Sequence, residues 1–250
     1  MENRSTALIT GSGIRLGKAI AMDLAKRGCD IAIHYNQSHK DALETVSAIK
    51  SSGVDCEAFQ YDLEKANEWE GFLKAVMTRF PDLNILVNSA SMYSQAKISE
   101  TDSNTFDKQM AVNIRAPFFL SKYFAKHCKK GNIINIIDNK VSFNQNTYAA
   151  YLLTKKSLVE FTKMAAIEFA PQIRVNGVAP GVTLPTSIRS PEYMKWRIEG
   201  IPLKMKGETY HITQAIVSIL ENEFITGQII TVDGGEGITN IGRNAGDYHS

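Results

Sequence analysis

Short apolar runs alternate along the chain with longer segments whose apolar residues recur at helical spacing. Seven of the short runs are β-rich, and most are continuously apolar, as in strands buried on both faces of a parallel sheet. They are TALIT, IAIHY, EAFQY, NILVN, NIINII, RVNGVA and QIITV. The helical segments LGKAIAMDLAKRG and HKDALETVSAIKSSG end at Gly28 and Gly53, and glycine commonly stops a helix. This alternation predicts an α/β fold of the Rossmann type, with a doubly wound, parallel, seven-stranded sheet and helices on both faces.

The length of the chain suits one domain. Its 250 residues, 44% of them hydrophobic, can bury a sizeable core, and the sequence contains no linker or internal repeat. We therefore expect a single domain over residues 1–250. Two stretches look irregular, namely residues 181–200 after the sixth predicted strand and the polar C-terminal tail at 236–250.

Composition and charge favour small-molecule chemistry in the cytoplasm. The net charge of +2 comes from interspersed residues, so the sequence predicts no basic surface for nucleic acid or for an anionic membrane. The N-terminal MENRSTALIT lacks the apolar region of a signal peptide, and no apolar run approaches the roughly 18 residues of a spanning helix. The three cysteines and five histidines are scattered, without the spacing of a disulfide framework or of a metal site, so no metal is expected.

A glycine-rich turn, TGSGIRLGKAI, follows the first predicted strand. Glycines let the backbone come close to a phosphate, and the next helix directs its free amide groups and positive dipole end at that phosphate. A tight turn without a ligand is the alternative. Because the turn follows the first strand of a βαβ chain, we interpret residues 10–17 as the phosphate loop of a dinucleotide site.

The second predicted strand ends in HYNQSHK, which has no carboxylate before Asp41. An acidic residue at this place would favour the free 2′-hydroxyl of NAD. Polar donors are available instead, namely His34, Asn36, Gln37, Ser38 and Lys40. They suit a 2′-phosphate, so NADP(H) is the predicted cofactor, although a solvated loop with incidental polar residues would look the same.

Tyr151 and Lys155 stand four residues apart in the helical segment YLLTKKSLVEFTKMAAIEFA, so they share one face. A phenol has an ordinary pKa of about 10, and a nearby ammonium would lower it towards the range of a general acid. Such a pair occurs often by chance on a surface. Its position after the fifth predicted strand, beside the expected nicotinamide site, favours a proton donor.

Several motifs in this order resemble the short-chain dehydrogenase/reductase family over nearly the whole chain. They are TGSGIRLG, Asp62 with Leu63, NSAS at 88–91, Asn113, Tyr151 with Lys155, APG at 179–181, and ITGQIITVDGG. The resemblance implies Tyr151 as the acid, Lys155 as the residue that holds the ribose and tunes Tyr151, Asn113 as the support of a relay water, and a homotetramer. The residues implied to contact the cofactor are Gly11, Arg15, Leu16, His34, Tyr35, Asn36, Ser38, Asp62, Leu63, Asn88, Ala90, Ser91, Tyr151, Lys155, Pro180, Gly181 and Thr183.

Two departures from the family pattern are informative. Arg15 replaces the middle glycine of the phosphate loop, and Asp138, thirteen residues before Tyr151, replaces the usual catalytic serine. Both recur in the pteridine reductase branch, together with an aromatic residue matched by Tyr93. Against the branch pattern, Gln37 stands where an arginine is common.

This resemblance implies that a pterin contacts Arg15, Tyr93, Asp138 and Tyr151, with 181–200 as the substrate loop. A serine in a ketone reductase donates a hydrogen bond to the carbonyl, whereas an aspartate can accept hydrogen bonds from the ring and amino groups of a pterin. Tyr93 would stack on the pterin ring. Each residue has an ordinary alternative: Arg15 as a solvated helix start, Tyr93 as loop packing, and Asp138 as a cap or turn residue.

Three functions remain open on the sequence. The first is NADPH-dependent reduction of a pterin, such as a dihydropteridine, dihydromonapterin or dihydrofolate. The second is a short-chain reductase of a ketone, sugar or acyl substrate. The third is a non-catalytic NADP-binding regulator, because fold does not dictate function.

Overall fold

The computed structural model describes residues 4–184, 190–239 and 243. Within these residues, seven parallel strands form one sheet in the order β3-β2-β1-β4-β5-β6-β7. The strands are β1 (Thr6–Ile9), β2 (Asp30–Tyr35), β3 (Cys56–Gln60), β4 (Leu83–Asn88), β5 (Gly131–Ile136), β6 (Ile173–Pro180) and β7 (Ile229–Val232). Each strand matches one of the predicted runs to within one residue at either end, so the predicted fold is confirmed.

Helices connect the strands. They are α1 (Arg15–Lys26), α2 (His39–Lys50), α3 (Trp69–Arg79), α4 (Ser103–Met110), α5 (Ala116–His127), α6 (Ala149–Phe169), α7 (Pro191–Glu199) and α8 (Thr209–Glu221). Shorter helical turns lie at Ile98–Glu100, Ala111–Arg115, Asn139–Ser142 and Glu236–Ile238. The predicted glycine stops follow α1 and α2, since Gly28 and Gly53 have positive φ angles of 89° and 81°.

The core lies on both faces of the sheet. Along β1, Ala7 and Ile9 face the apolar residues of α1, α2 and α8, whereas Leu8 faces those of α3, α5 and α6. All three side chains are buried, and burying a leucine or isoleucine contributes about 1.5–3 kcal/mol. Burial on two faces is the physical reason that these strands are continuously apolar in sequence.

Helix α7 corrects one expectation. Residues 181–200 were expected to be irregular, but Pro191–Glu199 forms a helix. Its start has an ordinary sequence signal, because Ser190 accepts a hydrogen bond from the Tyr193 amide at 3.2 Å and Pro191 occupies the first helical position. Residues 185–189 of the predicted substrate loop, and the tail at 240–242 and 244–250, lie outside the described residues.

The strand order reverses direction between β1 and β4, because the chain runs outward to β3 and then returns to the other side of β1. The loops at the carboxyl ends of β1 and β4 therefore diverge and leave a crevice, which is where ligands bind in open α/β sheets. In the described part of the chain, no helix is long and apolar enough to cross a membrane. The same residues contain no group of three or more His, Cys, Asp or Glu side chains that could hold a metal ion.

Candidate active site

A cavity of about 690 Å³ opens at the carboxyl ends of the central strands. It contains most of the predicted site residues: Gly11, Arg15, Leu16, His34, Tyr35, Asn36, Ser38, Leu63, Ala90, Ser91, Tyr93, Asp138, Tyr151, Lys155, Pro180, Gly181 and Thr183. Asp62, Asn88 and Asn113 do not line it. Five further lining residues belong to predicted site features without having been named as contacts, or only as possible donors: Ile14, Gly17, Gln37, Ser89 and Leu184. Five were not predicted at all: Glu64, Met92, Val112, Ile136 and Ile137. Several of these directly follow a strand or adjoin a predicted residue, which is the signal that could have found them.

The phosphate loop needs its glycines for close backbone contacts. Gly11 has a φ of 65°, and a Cβ there would lie 2.9 Å from the Ala90 Cα. A Cβ on Gly17 would lie 2.5 Å from the Gly11 carbonyl oxygen. The loop is thus packed against the turn after β4, whose Ser89 and Ala90 amides donate to the Thr10 hydroxyl at 2.9 and 3.0 Å.

Arg15 adopts the left-handed conformation, with a φ of 53°. This explains why a glycine is common at this position, because the left-handed region costs a non-glycine residue about 1–2 kcal/mol. The exposed Arg15 side chain crosses to the far wall of the cavity, where its Nη2 donates to the Leu184 carbonyl at 2.9 Å. It is therefore more than a solvated helix start, since it joins the phosphate loop to the beginning of the predicted substrate loop.

The structure corrects the role expected for His34. The residue is buried, its Nδ1 accepts from the Gly11 amide at 3.0 Å, and its Nε2 lies 3.0 Å from the Tyr61 carbonyl. The imidazole is therefore occupied as a neutral ring that donates from Nε2, and burial lowers its pKa to about 4. It supports the phosphate loop and is no free donor for a 2′-phosphate.

Some of the polar side chains after β2 already contact another side chain, whereas others line the cavity. The buried Tyr35 hydroxyl lies 2.7 Å from His39 Nδ1. Asn36 Nδ2 donates to Asp62 Oδ1 over 3.4 Å, which ties the end of β2 to the end of β3. Gln37 and Ser38 line the cavity, and a Cβ on Gly13 would lie 3.0 Å from the Ser38 Oγ. The side chains of Gln37 and Ser38 are therefore the predicted donors best placed on the cavity wall.

Asp138 and Tyr151 form a direct pair within the cavity. The Tyr151 hydroxyl donates to Asp138 Oδ2 at 2.7 Å. The other carboxyl oxygen of Asp138 accepts from the Lys140 amide at 2.9 Å and caps the helical turn at 139–142. Asp138 is thus a cap residue and a partner of Tyr151 at once, because its two oxygens serve different groups.

The pKa of the Tyr151 phenol is raised in this arrangement, not lowered as expected from the neighbouring Lys155. Burial and the neighbouring Asp138 carboxylate raise the pKa of the Tyr151 phenol well above its ordinary value. The Lys155 ammonium donates to the Ile136 carbonyl at 2.9 Å and lies 5.8 Å from the centre of the Tyr151 ring, while burial lowers its own pKa to about 8. The phenol is therefore kept protonated, and Asp138 is its nearest charged partner.

Tyr93 forms an aromatic wall beside this pair. Its ring meets the Tyr151 ring edge-on at 4.7 Å and stacks on Tyr148 at 4.8 Å, with interplanar angles of 86° and 23°. Lys140 Nζ donates to the Tyr93 hydroxyl at 2.7 Å. Tyr93 remains 47% exposed, so part of an aromatic ring is available to a ligand in the cavity.

Asn113 is buried behind the cavity, in a π-helical turn at 111–115. Its Oδ1 accepts from the Met92 amide at 2.7 Å, and its Nδ2 donates to the Met92 carbonyl at 2.8 Å and to Thr154 Oγ1 at 3.1 Å. The side-chain amide therefore fixes the loop that carries Tyr93 relative to the helix that carries Tyr151. Its support of a relay water stays a prediction.

Asn88 also acts from behind the wall. Its Nδ2 donates to Asn135 Oδ1 at 2.8 Å, which connects the ends of β4 and β5. On the opposite wall, Gly181 packs against Asp233, since a Cβ there would lie 2.6 Å from the Asp233 Cβ, and Thr183 Oγ1 donates to the Gly181 carbonyl at 3.2 Å. These contacts shape the cavity that Asp138 and Tyr151 line.

The fold and cavity define a class of protein, a Rossmann-type oxidoreductase with a glycine-rich dinucleotide loop and a hydrogen-bonded tyrosine–aspartate pair in the cavity. The chain belongs to the short-chain dehydrogenase/reductase family. A family model described as enoyl-(acyl carrier protein) reductase matches residues 11–236.

Similar proteins of known sequence include different reductases. An uncharacterized oxidoreductase of Thermotoga maritima is 36% identical over 242 residues, covering 91% of this chain and 95% of that protein. The 3-oxoacyl-[acyl-carrier-protein] reductase FabG of Staphylococcus epidermidis is 31% identical over 238 residues, covering 92% of this chain and 98% of that protein.

Similar solved structures include dihydrofolate reductases. FolM alternative dihydrofolate reductase 1 from Brucella canis, complexed with NADP, superposes with a TM-score of 0.90 at 33% identity, covering 96% of each chain. The same protein from Brucella suis, also with NADP, gives a TM-score of 0.90 at 33% identity, covering 96% of this chain and 97% of that one.

Proposed function

We propose that this protein is an NADPH-dependent reductase of a pterin, such as a dihydropteridine, dihydromonapterin or dihydrofolate. The observation that carries the proposal is the hydrogen bond of 2.7 Å between the Tyr151 hydroxyl and Asp138 Oδ2 inside the cavity. A pterin presents a 2-amino group and ring nitrogens, and a carboxylate accepts from such donors. The similarity to two FolM dihydrofolate reductases supports the same substrate class.

The cavity fits a dinucleotide. Gly11 and Gly17 leave no room for a Cβ because they pack against Ala90 and against the loop itself. This tight turn brings the N-terminus of α1 to the cavity, where its free amide groups would favour a phosphate. Ser38 and Gln37 would lie nearest the adenosine ribose, and Lys155 and Tyr151 nearest the nicotinamide end. The predicted cofactor, NADP(H), is the one in both FolM complexes, so the cofactor prediction is confirmed.

When bound, NADPH supplies a hydride to a carbon of the pterin ring. The residues of this chain supply the remaining steps. Asp138 accepts from donor groups of the pterin and orients the ring, while the exposed part of Tyr93 stacks on it. The nitrogen next to the reduced carbon becomes strongly basic as hydride adds, so the Tyr151 phenol can give it a proton even with a raised pKa.

A ketone or acyl substrate is the second candidate, because FabG of Staphylococcus epidermidis is a 3-oxoacyl reductase. In that reaction negative charge develops on the carbonyl oxygen, and stabilising it needs donors. Asp138 is a carboxylate that already accepts the Tyr151 hydrogen, so it would repel the developing charge. This is the physical reason that we prefer a pterin.

The test is oxidation of NADPH by the purified protein with 7,8-dihydropterins, dihydrofolate, simple ketones and a 3-oxoacyl thioester, with NADH as the comparison. We expect turnover of at least one dihydropterin at a kcat/KM well above that for any carbonyl. Turnover of carbonyls alone would contradict the proposal and leave the family assignment intact. Binding of NADPH without turnover of any substrate would favour a regulator.

We also propose that the single domain over residues 1–250 assembles as a homotetramer. Helix α6 exposes Leu153, Met164 and Ile167, whose exposed fractions are 54%, 62% and 81%. Apolar side chains in a row on one helix suit a symmetric contact with a second copy. Analytical ultracentrifugation should give a tetramer at working concentration, and a monomer would contradict this proposal.

A further inference from the structure

A buried ion pair lies close to the candidate active site but outside the cavity. Arg197 of α7 pairs through Nη1 with Oε1 of Glu236, and their side chains are only 8% and 3% exposed. Arg197 also donates to the main-chain oxygen of Arg243. Removing two charges from water is costly, so a buried pair by itself is weak evidence of stabilisation and calls for another explanation.

The second carboxyl oxygen of Glu236 holds Asn139. Asn139 Nδ2 donates to Glu236 Oε2 at 2.9 Å and lies 3.3 Å from Asp233 Oδ2. Asn139 is 3% exposed and is the first residue of the helical turn that Asp138 caps. The ion pair therefore reaches the residue directly after Asp138 through a single side chain.

The segment that carries Glu236 is itself fixed. Asp233 accepts from the Gly235 amide at 2.9 Å and from the Gly237 amide at 2.6 Å. A Cβ on Gly237 would lie 3.3 Å from Ser142 Oγ, so this segment packs directly against the end of the capped turn. Movement of Glu236 would consequently be transmitted to Asn139 rather than absorbed by a gap.

We propose that the Arg197–Glu236 pair is a positioning device for Asp138. It holds Asn139, and so fixes the turn from which the Asp138 carboxylate reaches the Tyr151 hydroxyl. Because Arg197 lies on α7, the pair connects the helix of the substrate region with the proton-transfer pair. This inference rests on the proposed function, since it concerns how Asp138 is held for that reaction.

Two sets of variants test the device. Asn139→Ala cuts the connection and leaves the ion pair in place. The double variant Arg197→Met/Glu236→Gln removes both charges together, which avoids the uncompensated buried charge that a single variant would leave. We expect kcat for the dihydropterin to fall about 10- to 100-fold in both, because a small misplacement of a reacting group has effects of this size, with the Kd of NADPH unchanged.

Arg174→Met is the matched control. Arg174 donates to the carbonyls of Ile225 and Leu220 at 2.7 and 3.0 Å, at the amino end of β6 and away from the cavity. Its loss removes an arginine with main-chain contacts, as Arg197→Met does, but touches nothing near Asp138. We expect this variant to keep its kcat.

A readout independent of turnover separates this inference from the proposed function. The ¹³Cγ resonance of Asp138, assigned with the Asp138→Asn variant, should move in both test variants and stay in place in Arg174→Met. If wild-type protein reduces no pterin, the proposed function fails, and the resonance still decides the positioning claim. An unmoved resonance, or an unchanged kcat in both folded test variants of an active enzyme, would overturn it.

Discussion

The Asp138–Tyr151 pair predicts that the two residues act as one unit on a single proton. Asp138→Asn keeps an oxygen that can cap the turn at 139–142, because asparagine is also a good N-cap, but removes the negative charge next to the phenol. Tyr151→Phe removes the hydroxyl and keeps the ring that packs against Tyr93. Each change thus removes one partner of the hydrogen bond and preserves the local packing.

The size of the effect follows from the chemistry of the bond. Loss of a general acid lowers a rate about 10²- to 10⁴-fold, so we expect about 10³-fold for Tyr151→Phe. A hydrogen bond to a charged group contributes about 1.5–3 kcal/mol, which corresponds to about a 10- to 150-fold loss for Asp138→Asn. Because both act on the same proton, the double variant should be no slower than Tyr151→Phe alone.

The assay is steady-state reduction of the best dihydropterin by NADPH in the four proteins of this cycle. Tyr123→Phe, on α5 and away from the cavity, controls for the loss of a phenol hydroxyl and should change kcat/KM less than threefold, that is by less than about 0.7 kcal/mol. If the two single losses multiply in the double variant, to about 10⁴- to 10⁵-fold, the residues act independently and the shared-proton account is refuted.

Three further outcomes follow from buried or strained groups. The pKa of His34 is about 4 in the fold and 6.5 in the unfolded chain, so the unfolded state binds more protons between these two pH values. The free energy of unfolding should therefore fall by about 3 kcal/mol as pH falls from 6.5 to 4. Denaturant titrations should show a smaller fall in His34→Gln. The pKa of Lys155, about 8 in the fold against 10.5 when unfolded, has a consequence of the same sign at higher pH. The fold should gain about 2 kcal/mol relative to Lys155→Met as pH rises from 8 to 10, and a parallel pH dependence of the two proteins would contradict it. Arg15→Gly should be about 1 kcal/mol more stable than Arg15→Ala, because glycine adopts the positive φ of this position without strain. Both variants should weaken NADPH binding equally. Equal stability of the two variants would argue against left-handed strain.

The fold could be predicted from the sequence because strands that are buried on both faces are continuously apolar in the sequence. A strand such as IAIHY must be apolar at successive positions when helices cover both sides, and strands alternating with helical segments are typical of a parallel sheet. The start of α7 was missed because its signal is the local pair Ser190 and Pro191 and not an apolar period. Motif position was likewise enough to bring Asp138, Tyr151 and Tyr93 to one cavity.

The hydrogen-bond partners and pKa shifts of the site residues could not be predicted from the sequence. The polar residue His34 was expected to face a phosphate, yet its two ring nitrogens are used by Gly11 and Tyr61, which are distant in the chain. The pKa of Tyr151 was expected to fall because of the helix neighbour Lys155, but burial raises it, and so does the carboxylate of Asp138, thirteen residues away. Such effects depend on distances of a few ångströms and on burial, and neither follows from spacing alone.

The most direct test of the central claim compares two substrates in two proteins. The ratio of kcat/KM for a dihydropterin to that for a ketone or 3-oxoacyl substrate is measured in wild-type protein and in Asp138→Ser, which also keeps a good N-cap. The account predicts that wild type favours the pterin and that the serine variant loses this preference, because the carboxylate that accepts from the ring is gone. A ratio that favours the carbonyl substrate in wild type, or one that Asp138→Ser leaves unchanged, would contradict it.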